Sequence, residues 1–181
     1  MATKASTKAE RKTRRPQENK RNKSQSSSSA SIPSKDALEL LEEDHRKVEE
    51  LFDEYDDAEG DDERRGELAK QICRELTVHA EIEEEIFYPR AREATKDNEL
   101  IDEAIVEHAT VKNLIGEIEE MDVGEELYDA KIRVLGEMVK RHIREEEEEL
   151  FPELQSAKMD LDAIGQELAE RKEELMSEMS G

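Results

Sequence analysis

From Leu38 to Leu150 the apolar residues return in steps of three and four, which is the period of one helix face. The first stripe runs Leu38, Leu41, His45, Val48, Phe52, Tyr55, and Ser34, just after Pro33, is placed to cap its start. Asp56 to Asp62, with Gly60, breaks the pattern. A second stripe follows through Leu68, Ile72, Leu76, His79, Glu83 and Phe87, in a helix that should end near Ala94. A third carries Ile101, Ala104, His108, Val111, Ile115 and Ile118. The stretch Met121 to Gly124 reads as a tight connection. The fourth runs Tyr128, Ile132, Leu135, Val139, His142, Glu146, Leu150 and closes near Pro152. Amphipathic helices joined by short connections pack as an antiparallel up-down bundle. The expected fold is therefore all-α: a four-helix bundle over residues 34–154, with an additional C-terminal amphipathic helix over residues 155–181. In that helix Leu161, Ile164, Leu168 and Leu175 either pack outside the bundle or serve an oligomer contact.

All four histidines of the chain sit inside these stripes, in a repeated arrangement. His45 precedes His79 by 34 residues and His108 precedes His142 by 34, and each later histidine has a glutamate four residues on, Glu83 and Glu146. The second set is the first shifted by 63. The shift also maps Val48 to Val111, Leu51 to Leu114, Tyr88 to Phe151 and Pro89 to Pro152, so the two helical hairpins are related halves.

Residues four apart on a helix share a face, so Glu83 and Glu146 point inward with their histidines. An unpaired buried carboxylate costs on the order of several kcal/mol, and no Lys or Arg stands near them in the stripes. A pair of divalent cations removes the difficulty. Imidazole suits iron, zinc or copper, and carboxylates bridge two metal ions readily. His45 and His79 would serve one ion, His108 and His142 the other, with Glu83 and Glu146 shared.

Composition narrows the remaining choices. Charged residues make up 43% of the 181 and aromatics 3%, with no Trp, which disfavours a β-sandwich and suits exposed helices. One cysteine, Cys73, excludes a disulfide framework or a cysteine-based zinc or iron–sulfur site and suits a reducing compartment. It reads as a small core residue. No run approaches a membrane span and no apolar leader segment stands at the N-terminus, so the expected location is cytoplasmic. The net charge of −22 is uneven: residues 1–35 hold ten Lys/Arg against two acids, leaving −30 (−22 − 8) for the rest. Residues 1–33 lack the apolar residues to offset ordering entropy and read as a disordered extension. Either that arm contacts nucleic acid or it is a solvated tail, the tail being favoured because no aromatic residue interleaves its charges. No nucleophile–base pair, phosphate loop or zinc finger is present.

The elements Asp44-His45, His79-x-x-x-Glu83 with Phe87-Tyr88-Pro89, Glu107-His108, and His142-x-x-x-Glu146 with Leu150-Phe151-Pro152 resemble the hemerythrin-like, or HHE, domain over about residues 36–153. The resemblance implies a four-helix bundle holding two iron ions with an oxo or hydroxo bridge. His45, His79, His108 and His142 would be terminal ligands, and Glu83 and Glu146 bridging ones. The ligand types alone also admit manganese or zinc. Small diatomic molecules or peroxide would be the partners, with binding, sensing or turnover at the metal pair, or with metal serving only to hold together a helical interaction module. Oxygen-carrying hemerythrins have a fifth histidine where this chain has Lys112, which shifts the expectation from storage of O2 to redox chemistry. The related position Glu49 is either an extra carboxylate donor or a solvent-facing residue, the second being favoured. Glu75, one turn before His79, is a candidate partner for its second ring nitrogen. Asp44 and Glu107 stand about 100° from their histidines, too far round the helix for ligation. The run Glu145 to Glu149 reads as a solvated face apart from Glu146.

Overall fold

The structure, a computed structural model, describes residues 35–95 and 98–179. The basic arm expected over residues 1–33 and the cap expected at Ser34 lie outside the described residues. The first helix, α1 (Ala37–Asp57), is instead capped by Asp36. Oδ1 of Asp36 accepts from the Glu39 N–H at 3.0 Å, and the Glu39 carboxylate accepts from the Asp36 N–H at 3.3 Å. This reciprocal capping box satisfies two otherwise orphaned donors. The chain turns at Gly60, whose φ of 89° is open to a residue without a Cβ. Asp61 then caps α2 (Asp62–Ile82), accepting from the Arg64 N–H at 3.1 Å.

At Ile82 the helix changes pitch. A five-residue π turn, π1 (Glu83–Phe87), leads into α3 (Tyr88–Ala94), and the Tyr88 N–H bonds to the Glu83 carbonyl five residues back. Pro89 explains the widening: its ring would press on the carbonyl four residues earlier in a regular α-helix, and a π turn relieves that clash. After α4 (Glu99–Glu119) and the connection 120–127, the second half repeats the device. Helix α5 (Tyr128–Glu145) passes into π2 (Glu146–Leu150) and α6 (Phe151–Ser156), with Phe151 bonded to the Glu146 carbonyl and Pro152 behind it. The fourth rod therefore continues to Ser156, past its expected close at Pro152. The α4–α5 connection is also longer than Met121 to Gly124.

Helix α1 packs against α2 and α5, and α4 against α5 and α2, which closes the up-down bundle. Helix α7 (Leu161–Glu178), capped by Asp160, lies outside it on α1, α2 and π1, with Ile164, Leu168 and Leu175 buried. Of its two expected roles, packing outside the bundle is the one seen. No strand occurs among the described residues.

The interior divides into two apolar clusters. One contains Leu41, Ile82, Phe87, Tyr88, Ala104, Phe151 and the inner face of α7; the other contains Val48, Phe52, Leu76, Val111 and Val139. His45 lies between Leu41 and Val48 in sequence, and His108 between Ala104 and Val111. The polar residues thus form a layer sandwiched between two hydrophobic ones.

Candidate metal centre

Each half places its side chains by the same means. Helices α1 and α4 carry His45 and His108. Helices α2 and α5 carry His79 and His142 in their last turns, and the π turns begin at Glu83 and Glu146. All six residues are buried, Glu83 completely. Oε2 of Glu146 lies 3.2 Å from Nε2 of His45 and 3.4 Å from Nε2 of His142. Oε2 of Glu83 lies 3.2 Å from Nε2 of His79 and 3.4 Å from Nε2 of His108. Each carboxylate therefore touches one histidine from each half. Donor atoms of His45, His79, Glu83 and Glu146 all fall within 4.8 Å of one another, and so do those of Glu83, His108 and His142.

The outward ring nitrogens follow the 63-residue shift as well. Nδ1 of His45 meets Glu147 at 2.8 Å, and Nδ1 of His108 meets Glu84 at 3.1 Å. Nδ1 of His142 meets Glu107 at 3.1 Å, whereas Nδ1 of His79 stands 3.8 Å from Asp44, a charge contact too long for a hydrogen bond. A carboxylate that accepts from Nδ1–H leaves Nε2 as the lone-pair donor of the neutral ring, and all four Nε2 atoms face inward. Three of these outer carboxylates also hold a cation: Lys172 of α7 on Asp44, Arg141 on Glu107, and Lys112 on Glu84.

These outer partners were not foreseen. Glu75 is buried, but it pairs with Lys47 at 2.7 Å and does not reach His79. Glu147, within the run read as solvated, holds His45. The missed signal lay in neighbours of the ligands: Glu84 and Glu147 each follow a buried glutamate by one residue, and the π turn swings them towards a histidine on another rod. Glu49 is half-buried and stands in neither cluster. Cys73 is buried, and that burial pushes its thiol up to about 12, so it acts as an apolar side chain.

Tyr88 is a further member that the stripes did not mark as chemical. Its hydroxyl donates to Glu146 at 2.9 Å, and it lies 3.3 Å from Glu83 and 3.5 Å from Nε2 of His108. The related residue, Phe151, has no hydroxyl and stacks on His45 with ring centroids 5.9 Å apart. The pseudo-symmetric site is thereby polar on one side and apolar on the other.

The electrostatics display the strain of two buried carboxylates. Burial, reinforced by the charge of Glu146, raises Glu83 well above the usual carboxyl range. Burial acts on Glu146 in the same sense, but the imidazoles of His142 and His45, each within 3.4 Å of its Oε2, outweigh it and hold Glu146 low. Burial opposes a charge on His45, yet the Glu146 carboxylate 3.2 Å away and the Glu147 carboxylate bonded to Nδ1 prevail and push it up to about 9. His108 is driven down to about 2 by burial and then by the charges of His142 and His79. Nε2 of His45 and of His79, Oε1 of Glu83 and Oε2 of Glu146 are buried without a hydrogen-bond partner. Orphaned imidazole nitrogens and carboxylate oxygens converging on one point are a donor set that metal cations satisfy.

On one side of the histidines lies a cavity of about 20 Å³ walled by Val48, Leu76, Val111, Val139 and Ile143. The four histidines and Asp44 are the polar residues of its lining. No helix among the described residues is long and apolar enough to cross a membrane.

The chain is similar to known proteins. A DNA nickase of Nostoc sp. is 33% identical over 113 residues, covering 62% of this chain; the match spans about a third, 32%, of the relative's own length. The crystal structure of a hemerythrin HHE cation binding domain-containing protein from Mycobacterium kansasii superposes with a TM-score of 0.69 at 27% identity, over 80% of this chain and 89% of that one. The family model described as the hemerythrin HHE cation binding domain matches residues 36–154, the stretch that carries both π turns and all four histidines. The chain belongs to the hemerythrin HHE cation-binding domain family.

Proposed function

We propose that the chain holds two iron ions between its helical halves and binds a small oxidising or diatomic ligand, O2, peroxide or nitric oxide, at that pair. His45 and His79 would ligate one ion and His108 and His142 the other, with Glu83 and Glu146 shared between them. The observation that carries this reading is the set of orphaned buried donor atoms on His45, His79, Glu83 and Glu146, with Glu147 bonded to the outer nitrogen of His45 and Tyr88 to Glu83 and Glu146. Iron supplies the redox chemistry when bound, and the protein supplies orientation, access and electrostatics.

Each side chain has a definable task. Glu147, Glu84 and Glu107 hold the Nδ1 atoms of His45, His108 and His142 and keep those rings in register. Tyr88 presents an O–H between the two shared carboxylates, where it can donate to either. The cavity of about 20 Å³ beside the histidines is little larger than a water site, which suits a diatomic ligand and excludes bulky molecules. Lys112, in place of a further imidazole, is taken up by Glu84 at 2.8 Å and would not itself ligate the ion. Cleavage of DNA is not carried over from the Nostoc relative: the chain outside residues 1–35 has a charge of −30 (−22 − 8), which repels a phosphate backbone.

Metal content and optical spectra of anaerobically purified protein, before and after air, test the reading. Two irons per chain with near-ultraviolet bands arising in air support it; colourless protein holding zinc or no metal overturns it. Repeated additions of peroxide then separate a binder or sensor, which is oxidised once, from an enzyme, which consumes each addition when given a reductant.

A further inference from the structure

The internal repeat predicts two equivalent approaches to the buried glutamates, and the fold closes one of them. In the first half the approach towards Glu83 is walled by Ala37, Leu40, Leu41 and Ile82, all buried. Helix α7 lies over this wall so closely that a Cβ on Gly165 would stand 2.4 Å from the carbonyl oxygen of Lys35. The 63-residue shift carries those four residues onto Leu100, Glu103, Ala104 and Glu145. Two apolar positions have become acidic, and an open groove of about 760 Å³ runs over them between α4 and α5. Behind it lies a small cavity of about 10 Å³ whose inner wall holds His142 and Glu146. Glu103, Glu107 and Glu145 line both spaces, so the groove leads into the cavity. At the inner end Oε2 of Glu146, in a residue 2% exposed, is without a hydrogen-bond partner.

From this geometry we propose that the α4–α5 groove is the route by which divalent metal cations enter, steered by Glu103 and Glu145 and first received by Glu146. The proposal rests on the metal-binding reading above. Consecutive residues at the start of π2 do the handing over: Glu145 closes α5 on the groove side, and Glu146 opens the π turn on the buried side. Glu107 is already held by Arg141 and His142 and serves as a wall. Among the described residues, the carboxylates lining the groove outnumber its single cation, Arg141, which lies on Glu107 and 4.0 Å from Glu145. Such an excess of one sign raises the local concentration of a counter-ion and its rate of entry, an effect that salt screens. The sealed first-half approach offers a cation only apolar side chains at the same positions.

The test is stopped-flow loading of metal-free full-length protein with Co2+ at low ionic strength, followed by visible absorption. Glu103→Gln with Glu145→Gln is compared with a charge-matched control, Glu50→Gln with Asp53→Asn; in the control pair both residues are exposed on α1. The entry variant should load about fivefold or more slowly, Glu103→Arg more slowly still, with unchanged final stoichiometry and a difference that shrinks as salt is added. Equal rates for all variants, or equal slowing in the control, overturn the route while leaving metal binding intact. Failure of the unaltered protein to take up Co2+ overturns the metal-binding reading, and the route with it.

Discussion

Gly165→Ala is expected to destabilise the fold even though alanine is the better helix former. In an exposed helix interior the exchange gains about 1 kcal/mol. At Gly165 the new methyl group would stand 2.4 Å from the Lys35 carbonyl oxygen, 2.7 Å from the Asp36 carbonyl carbon and 2.8 Å from the Ala37 nitrogen. These are backbone atoms, fixed by the Asp36–Glu39 capping box, and they cannot swing aside. To reach an ordinary contact of 3.4 Å, helix α7 has to retreat by about 1 Å. A gap of that size forfeits roughly a quarter to a half of the dispersion energy at each contact it opens, which here means those of Ile164 and Leu168. Overpacking costs about 1–3 kcal/mol. With three backbone atoms met at once the upper part of that range applies, about 2–3 kcal/mol, and the propensity gain of about 1 kcal/mol leaves a net loss of about 1–2 kcal/mol. Gly116 is the matched control. It is helical and exposed, and a Cβ there meets nothing within 4 Å. Gly116→Ala should therefore stabilise by about 0.5–1 kcal/mol. Urea unfolding followed by circular dichroism, with both variants in the same metal state, reads the two signs. A Gly165→Ala protein as stable as the parent, or two changes of equal sign, would refute the packing of α7 on the start of α1.

Other consequences concern the centre itself. Tyr88→Phe removes the hydroxyl shared by Glu83 and Glu146 while keeping a ring that the related position accepts in Phe151; the metal-free protein should lose roughly 1.5–3 kcal/mol, and unchanged urea midpoints would count against the bond. Glu147→Gln and Glu107→Gln should each weaken metal binding about 10–100-fold in chelator competition, whereas a change of less than twofold would show that the Nδ1 partners do not orient the rings. In the metal-free protein His45 sits at about 9, above its ordinary 6.5, so it contributes stability in full below pH 6.5 and loses it as pH rises through 9. The same proton must leave before Nε2 can take a metal, so affinity should rise with pH up to about 9; calorimetry in buffers of different protonation enthalpy should detect proton release at pH 7, and none would remove His45 from the ligand set.

Most of the fold was legible along the chain because its helices are amphipathic and its ligands repeat. Period and spacing identify which residues of a helix share a face, and a 63-residue shift that preserves four histidines and two glutamates identifies a shared inward chemistry. The pitch change at Glu83 and Glu146 was less visible. Pro89 and Pro152 stand six residues after the glutamates, where they signal a disturbed helix without saying whether it kinks, ends or widens. The π turns chosen there move Glu84 and Glu147 off the solvent face and against histidines on other rods. Glu75, one turn from His79 in sequence, goes instead to Lys47.

The sequence by itself determined the elements, their inward faces and the residues that converge, since these follow from local periodicity and from the cost of burying a charge. Tertiary structure alone decided what those residues meet. It set Tyr88 between the two carboxylates, brought Lys172 of α7 onto Asp44, and sealed one of two related approaches while leaving the other open and acidic. Such contacts join residues 58 to 128 positions apart. No periodicity along one helix specifies which side chain of another rod will lie across the gap; only the packing of the rods does.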